Sequence, residues 1–202
     1  MHISKGEIDL EARWDVPNSD AATCVVFCHP HPQHGGTMRA PLMHKVTKAM
    51  VAGGLAVLRF NFRGVGESAG EWSGGVGEID DVDAAMREAA DLYGMSVGLA
   101  GWSFGAATAL RWQAGAGSSA SYVGIAPPVT MDLVPVLPEP GDLAGGRRLF
   151  IVGSRDQFVT TAELADYAAS IDADLEVLEG SDHFFYFREQ KVGELLAGFF
   201  AS

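Results

Sequence analysis

The chain has 202 residues, of which 48% are hydrophobic, and this is enough to bury the core of one domain spanning 1–202. The formal charge of −12 disfavours nucleic acid and anionic membranes as partners and favours neutral small molecules. No signal-peptide-like apolar run occurs in the amino-terminal segment MHISKGEIDLEARWD, and no apolar run reaches the roughly 18 residues of a membrane span. We therefore expect a cytoplasmic protein, and the sequence leaves its oligomeric state open.

Apolar runs rich in β-branched residues alternate with helical patterns in the first half of the chain. EIDLEARWDVP predicts an initial strand or hairpin, and the next elements are a strand at 22–28, a helix at 41–51, a strand at 55–62 and a helix at 79–93. The last of these opens with acidic residues, which suit the positive end of a helix dipole. Cys24 and Cys28 lie on one predicted strand with Cα atoms about 13 Å apart, too far for a disulfide, so we expect reduced core thiols.

The second half continues the alternation. It predicts a strand at 96–102, a helix at 104–114, strands at 121–127 and 147–154, a helix at 160–170, a strand at 174–180 and a helix at 189–200. Strands separated by helices are typical of a parallel sheet that is buried on both faces. The sequence therefore predicts an α/β fold, a doubly wound and mostly parallel sheet with helices on both faces.

The pattern Gly-x-Ser-x-Gly, which marks the nucleophile elbow of serine hydrolases, is centred on Ser68, Ser96 and Ser103. An elbow requires a strand directly before the serine and a helix directly after it. Ser96 opens a predicted strand, and Ser68 precedes a segment with too much glycine to begin a helix. Ser103 alone meets both conditions, and small residues follow it, so we predict that it is the nucleophile.

A serine hydroxyl needs a general base, and the base needs an orienting acid. In elbow-type sites the three groups follow the chain order Ser, acid, His. His183 is the only histidine after Ser103 and follows the predicted strand 174–180. It is therefore the predicted base.

Asp156 is the predicted acid, because it lies just beyond the strand 147–154, at the same sheet edge as the other two groups. Asp182 is adjacent to the base and poorly placed to hold its ring. Asp172 and Asp174 lie at a helix end, on the opposite edge. A capping or loop role is the alternative for Asp156.

The oxyanion formed in acyl transfer requires positioned hydrogen-bond donors. We expect one donor to be the backbone N–H of Phe104, directly after the nucleophile. The second is expected from the loop FCHPHPQHGGTM, where Pro30 and Pro32 have no N–H. His31 is the predicted second donor, and Gln33 is the weaker candidate.

The same loop offers an alternative, because His29, His31 and His34 form a cluster that could bind zinc in a metal-dependent hydrolase. No second group of His or Cys ligands follows downstream. The sequence favours histidines that shape the loop through hydrogen bonds, and we expect no metal and no cofactor.

Five ordered motifs together resemble the α/β-hydrolase superfamily. They are HPHPxxGGTM, FNFRGVGxSxG, GWSFGAA, GSRDxFV and GSDHFF. The chain is similar in particular to the small hydrolases grouped near the dienelactone hydrolases, although those enzymes have Cys where this chain has Ser103. The resemblance implies a carboxylic-ester hydrolase with the triad Ser103, Asp156 and His183. Together with the negative charge, this predicts a serine hydrolase that cleaves small to medium neutral carboxylic esters. The resemblance also implies that the loop around Ser68 is structural.

Substrate specificity in this superfamily often comes from a cap inserted after the strand corresponding to 121–127. The connection that follows here is about twenty residues and proline-rich, too short for a helical cap. We therefore expect a lidless, open site whose apolar walls include Trp102, Phe158 and Phe184. A thioesterase with the same triad and a non-catalytic binding protein remain the alternatives, since fold alone does not establish activity.

Overall fold

The computed structural model describes residues 1–21, 23–94, 97–130 and 135–201. It opens with a hairpin of β1 (His2–Lys5) and β2 (Ile8–Asp15), in which Ile3 pairs with Leu10. The sequence had indicated a strand or hairpin in the segment that contains β2. The structure places the first strand of the hairpin before that segment, where only a few residues alternate.

An eight-stranded sheet forms the centre of the described chain, in the order β1-β2-β4-β3-β5-β6-β7-β8. The further strands are β3 (Cys24–Cys28), β4 (Ala56–Phe60), β5 (Val97–Trp102), β6 (Tyr122–Ile125), β7 (Arg148–Gly153) and β8 (Asp174–Leu178). The pairs β1/β2 and β2/β4 are antiparallel, and the pairs from β4 through β8 are parallel. The predicted α/β class and mostly parallel sheet are confirmed.

Five α-helices in the described ranges cover this sheet. They are α1 (Pro41–Ala52), α2 (Gly77–Tyr93), α3 (Phe104–Gly115), α4 (Thr161–Ser170) and α5 (Glu189–Ala201). α1 packs against α5, and α2 packs against α3. The connection through α1 leads from β3 to β4, toward the β1 end of the sheet. The connections through α2, α3 and α4 all lead toward the β8 end. Because such crossovers are right-handed, the two groups of helices lie on opposite faces.

The predicted elements agree with the observed ones to within a residue or two at their ends. The first positions of two predicted strands, 22 in the strand 22–28 and 96 in the strand 96–102, lie outside the described residues. Cys24 and Cys28 are buried and free, as expected, and burial raises the pKa of Cys24 to about 12. No helix in the described ranges is long and apolar enough to cross a membrane.

The parallel strands all end at one edge of the sheet, and this edge positions the candidate site. β5 leads directly into α3, β7 into the connection that contains 154–160, and β8 into the connection that contains 179–188. Between β6 and β7 the described residues form only one short 3₁₀ turn, Pro140–Asp142. In these described parts of the connection no cap helix covers the edge.

Candidate active site

Ser103 occupies a sharp turn between a strand and a helix. β5 ends at Trp102 and α3 begins at Phe104, so Ser103 is the single residue that joins them. Its φ of 55° lies in the left-handed region, which costs a non-glycine residue free energy and persists only where the surroundings hold it. Its N–H donates to the Ile125 carbonyl at 2.8 Å, which ties the turn to β6. The geometry is that of a nucleophile elbow.

Two glycines let this turn lie close to the neighbouring backbone. A Cβ on Gly101 would come within 2.4 Å of the Ala106 nitrogen, and one on Gly105 within 2.3 Å of the His29 carbonyl oxygen. Both distances are too short for any other residue type. The first turn of α3 therefore packs directly against the carboxyl end of β3, beside the loop that was predicted to supply an oxyanion donor.

Asp156 and His183 form a buried pair at the same edge. Asp156 Oδ2 lies 2.8 Å from His183 Nδ1, and the two side chains are 0% and 5% exposed. The other carboxylate oxygen, Oδ1, accepts the backbone N–H groups of Phe158 at 2.8 Å and Val159 at 3.0 Å. A carboxylate only accepts, so we assign the ring proton to Nδ1, which leaves Nε2 with the lone pair of a general base.

Trp102 links the turn at Ser103 to His183. Its indole N–H donates to the His183 carbonyl at 3.2 Å, and the two rings lie 6.0 Å apart. The Gln157 side chain accepts the His183 N–H at 3.5 Å. Among the described residues no hydrogen bond joins Ser103 Oγ to the His183 ring, and such bonds often tighten only when substrate is bound.

In the described residues, none of the three alternative acids bonds to the His183 ring. Asp182 Oδ1 accepts the Phe184 N–H at 3.0 Å, and Asp172 lies in the turn that precedes β8, at the far edge of the sheet. Asp174 is the first residue of β8. The carboxylate that contacts the His183 ring is that of Asp156.

Both ring nitrogens of His29 form hydrogen bonds that fix the loop after β3. Its Nε2 accepts the Phe62 N–H at 3.0 Å, so the ring proton is on Nδ1, which lies 2.6 Å from the Pro30 carbonyl. Burial lowers the pKa of His29 to about 4, against the opposing effect of the bond to Pro30. The ring is neutral near neutral pH and has no lone pair left for a metal.

The predicted oxyanion residues lie side by side. The rings of His31 and Phe104 are 5.1 Å apart, and Trp72 contacts both, at 4.8 Å and 5.2 Å. His31 Nδ1 accepts the Gln33 N–H at 3.2 Å, which begins a short 3₁₀ turn. Gly35 ends that turn with φ 80°. The loop backbone therefore runs directly beside the start of α3.

The three histidines do not converge on one point. The rings of His31 and His34 stack at 4.4 Å with 18° between their planes, an arrangement of faces rather than of lone pairs. No group of three or more His, Cys, Asp or Glu side chains in the described ranges has the arrangement of a metal site. The geometry of His29 and the stacked pair disfavours the zinc alternative.

A buried polar network anchors the far end of the same loop. Asn61 accepts the Met38 N–H at 2.9 Å and donates to Glu11 at 2.6 Å, and Arg39 pairs with the same carboxylate. Burial acts to raise the pKa of Glu11, but hydrogen bonds from the Glu67 N–H, Arg39 and Asn61 outweigh it, so the pKa is lowered. The sequence reasoning missed this network; an asparagine directly after a buried strand was the available signal.

Of the other two pattern serines, the structure describes Ser68, which has a structural role in a loop. Ser68 Oγ donates to the Asn61 carbonyl at 2.7 Å and accepts the Glu11 N–H at 2.9 Å, so both bonds hold a structural loop. Ser96 lies outside the described residues.

The three aromatic residues predicted to line the site differ in their exposure to solvent. Trp102 is only 6% exposed, whereas Phe158 and Phe184 are 45% and 38% exposed beside the base. Trp72, whose ring contacts those of His31 and Phe104, is a further aromatic residue of this region that the sequence pattern did not indicate. Its loop is held by the buried Glu78 carboxylate, which accepts the N–H groups of Ser73 and Gly75 at 3.0 Å and 2.8 Å.

Comparisons with known proteins agree with this architecture. The chain is similar to an α/β serine hydrolase homologue from Coxiella burnetii, with 30% identity and a TM-score of 0.86 over 98% of this chain and 95% of that one. It is also similar to a lidless α/β serine hydrolase from Xanthomonas campestris, with 28% identity and a TM-score of 0.81 over 98% of this chain and 91% of that one. An uncharacterized protein of Rickettsia prowazekii is 29% identical over 97% of this chain and 86% of its own length. No protein-family model matches the chain.

The elbow, the open sheet edge and these similarities define a small, lidless hydrolase fold. The chain belongs to the α/β-hydrolase superfamily. The resemblance inferred from the five sequence motifs is thereby confirmed, and the likeness supports a hydrolase.

Proposed function

We propose that the protein hydrolyses small to medium neutral carboxylic esters through an acyl-enzyme on Ser103. The observation that carries the proposal is the buried Asp156–His183 pair, at 2.8 Å, at the same sheet edge as a strained elbow serine. With the ring proton assigned to Nδ1, the neutral His183 ring presents Nε2 as an acceptor, and Trp102 bonds the backbone of that histidine beside the elbow. A purely structural serine would require neither arrangement.

The first half of the reaction forms the acyl-enzyme. Ser103 Oγ attacks the ester carbonyl carbon while His183 Nε2 accepts the hydroxyl proton, and Asp156 stabilises the resulting imidazolium. The carbonyl π electrons move to oxygen, and the N–H groups of Phe104 and His31 are the proposed donors to this oxyanion. When the carbonyl re-forms, the bond to the leaving oxygen breaks and that oxygen takes the proton from His183.

The second half releases the acid. Water attacks the acyl carbon and gives a proton to His183, which then protonates Ser103 Oγ as the acyl–oxygen bond breaks. Atoms, protons and electrons balance over the two half-reactions without a redox partner or a metal. The net charge of −12 favours neutral esters over anionic ones, because a field of the same sign lowers the local concentration of anions.

Active-site labelling tests the proposal directly. A fluorophosphonate should react with the wild type and with Ser68→Ala and Ser96→Ala, which change the same sequence pattern, but not with Ser103→Ala. Hydrolysis of p-nitrophenyl acetate should be lost in parallel. Labelling that persists in Ser103→Ala would assign the nucleophile elsewhere, and a wild type that never reacts would indicate a binding protein. Ethyl acetate and S-ethyl thioacetate, assayed together, distinguish an esterase from a thioesterase.

A further inference from the structure

Two exposed phenyl rings flank the imidazole of His183 from different loops. Phe158 lies between β7 and α4, and Phe184 lies between β8 and α5. Their centroids are 4.9 Å and 5.7 Å from that of the imidazole, and both rings are nearly perpendicular to it, at 80° and 88°. Large apolar side chains that stay exposed beside a reacting centre mark a binding surface rather than a core.

Backbone hydrogen bonds fix both phenylalanines beside His183, and the Phe184 ring has further ring contacts. The Phe158 N–H donates to the Asp156 carboxylate, and the Phe184 N–H donates to Asp182. The Phe184 ring also stacks on Tyr186 at 5.7 Å and meets Trp102 edge-on at 6.1 Å. The two rings are therefore a preorganised surface, which costs little entropy when a ligand binds.

The proposed reaction determines which half of the substrate meets this surface. His183 must protonate the leaving oxygen, so that oxygen lies within hydrogen-bond reach of Nε2. The carbonyl oxygen instead points toward the N–H groups of Phe104 and His31. The group attached to the leaving oxygen consequently lies on the His183 side, against Phe158 and Phe184.

We propose that this surface selects esters whose alcohol part carries an aromatic ring, such as arylmethyl esters. The proposal rests on the proposed function above and specifies its leaving group. Aromatic rings pack preferentially edge-to-face or offset-stacked against one another, because each ring carries a quadrupole. A saturated ring of the same size has no such quadrupole and lacks this additional stabilisation. The discrimination is therefore between aromatic and saturated rings rather than between large and small alcohols.

Two matched ester pairs test the placement. Benzyl acetate and cyclohexylmethyl acetate differ in the alcohol ring while their leaving alcohols have similar acidity. Methyl phenylacetate and methyl cyclohexylacetate carry the same rings on the acyl side. We expect kcat/KM to favour benzyl acetate over its saturated partner by about tenfold and to show a much smaller ratio for the acyl pair.

Substitutions of Phe158 and Phe184 test whether these two rings cause the preference for benzyl acetate. Phe158→Leu and Phe184→Leu should bring the benzyl to cyclohexylmethyl ratio close to one, whereas Phe184→Tyr, which keeps a ring, should retain it. Phe187→Leu is the matched control. Phe187 lies on the same loop as Phe184 and is 96% exposed, and its ring makes no contact with another ring among the described residues. It should leave the ratio unchanged.

The outcomes separate this proposal from the one on which it rests. Hydrolysis of ethyl acetate by the wild type but not by Ser103→Ala establishes the esterase in the same assay, and its absence removes both proposals. If ethyl acetate is hydrolysed but the alcohol pair shows no preference, or the preference survives both leucine substitutions, the aromatic leaving-group proposal alone is overturned. A preference confined to the acyl pair would overturn it as well.

Discussion

Both carboxylate oxygens of Asp156, the proposed acid, have hydrogen-bond partners. One oxygen bonds His183 Nδ1 and the other accepts two backbone N–H groups, those of Phe158 and Val159. In Asp156→Asn the amide oxygen is expected to take the backbone N–H groups, so the NH₂ faces Nδ1. This moves the ring proton to Nε2 and removes the lone pair that the mechanism requires.

We therefore expect Asp156→Asn to lower kcat by several orders of magnitude, about 10⁴-fold in serine proteases with this triad, while the fold is kept. Esterase kinetics and far-UV circular dichroism measure the two effects. Asp182→Asn is the matched control and should retain near-normal kcat. Adding His183→Ala should cost little beyond the worse single variant, because the pair acts as a unit. Full loss in Asp182→Asn with activity kept in Asp156→Asn would contradict the assignment.

The burial of His29, in the loop after β3, makes the stability of the protein depend on pH. Its folded pKa of about 4 lies below the ordinary value of 6.5 because the ring is buried. Between these values the unfolded chain binds a proton that the folded chain does not, so the free energy of unfolding falls as pH falls from about 6.5 toward 4 and levels off below. The contribution between pH 7 and pH 5 is about 2 kcal/mol.

Urea denaturation at pH 7 and pH 5 measures this difference. In His29→Gln, whose side chain does not titrate, the loss of stability between the two pH values should be smaller than in the wild type by about that 2 kcal/mol. His44→Gln is the matched substitution at an exposed position of α1, and it leaves both hydrogen bonds of the His29 ring in place. Equal pH dependence in all three proteins would show that His29 titrates normally.

At the scale of elements, the first turn of α3 fixes the position of Ser103, the proposed nucleophile. A methyl group at Gly105 would collide with the backbone of His29 and Cys28, at 2.3 Å and 2.5 Å from their carbonyl oxygens. Neither contact is with a flexible side chain. The helix must shift away from β3, and Ser103 and the Phe104 N–H must shift with it.

Gly105→Ala should therefore destabilise the protein by about 1 to 3 kcal/mol and slow fluorophosphonate labelling of Ser103. Gly115→Ala, at the other end of the same helix, meets nothing within 4 Å and should be neutral or stabilising by up to about 1 kcal/mol, with labelling unchanged. Thermal denaturation and labelling rates measure both effects. Tolerance of alanine at position 105 would mean that the helix and β3 are not in close contact.

Most elements were predictable because their signals are local. The buried strands are continuous apolar runs, and α2 has an acidic first turn and ends before Gly94. β1 escaped prediction because four residues carry too little periodicity, and its place depends on pairing with β2. The short 3₁₀ turn at Pro32–His34 was likewise not predicted, since it depends on the His31 side chain and on Gly35.

At the scale of the whole molecule, the sheet brings together groups that are far apart in the chain. Ser103, Asp156 and His183 follow β5, β7 and β8, and parallel strands connected by right-handed crossovers end at one edge. The same edge carries the loop after β3 and the exposed rings of Phe158 and Phe184. The formal net charge of −12 is consistent with the proposed neutral substrates, because it lowers the local concentration of anionic ones.

The amino-acid sequence by itself determined the α/β class, the elbow serine and the order of the three candidate catalytic groups. These features depend on residues that are neighbours in the chain or on the simple count of histidines after Ser103. Only the tertiary structure decided that both His29 nitrogens are engaged, that Trp102 holds the His183 backbone, and that two phenyl rings flank the base. The physical reason is that hydrogen-bond partners and ring contacts between distant segments depend on strand order and side-chain rotamers, and no local pattern encodes either.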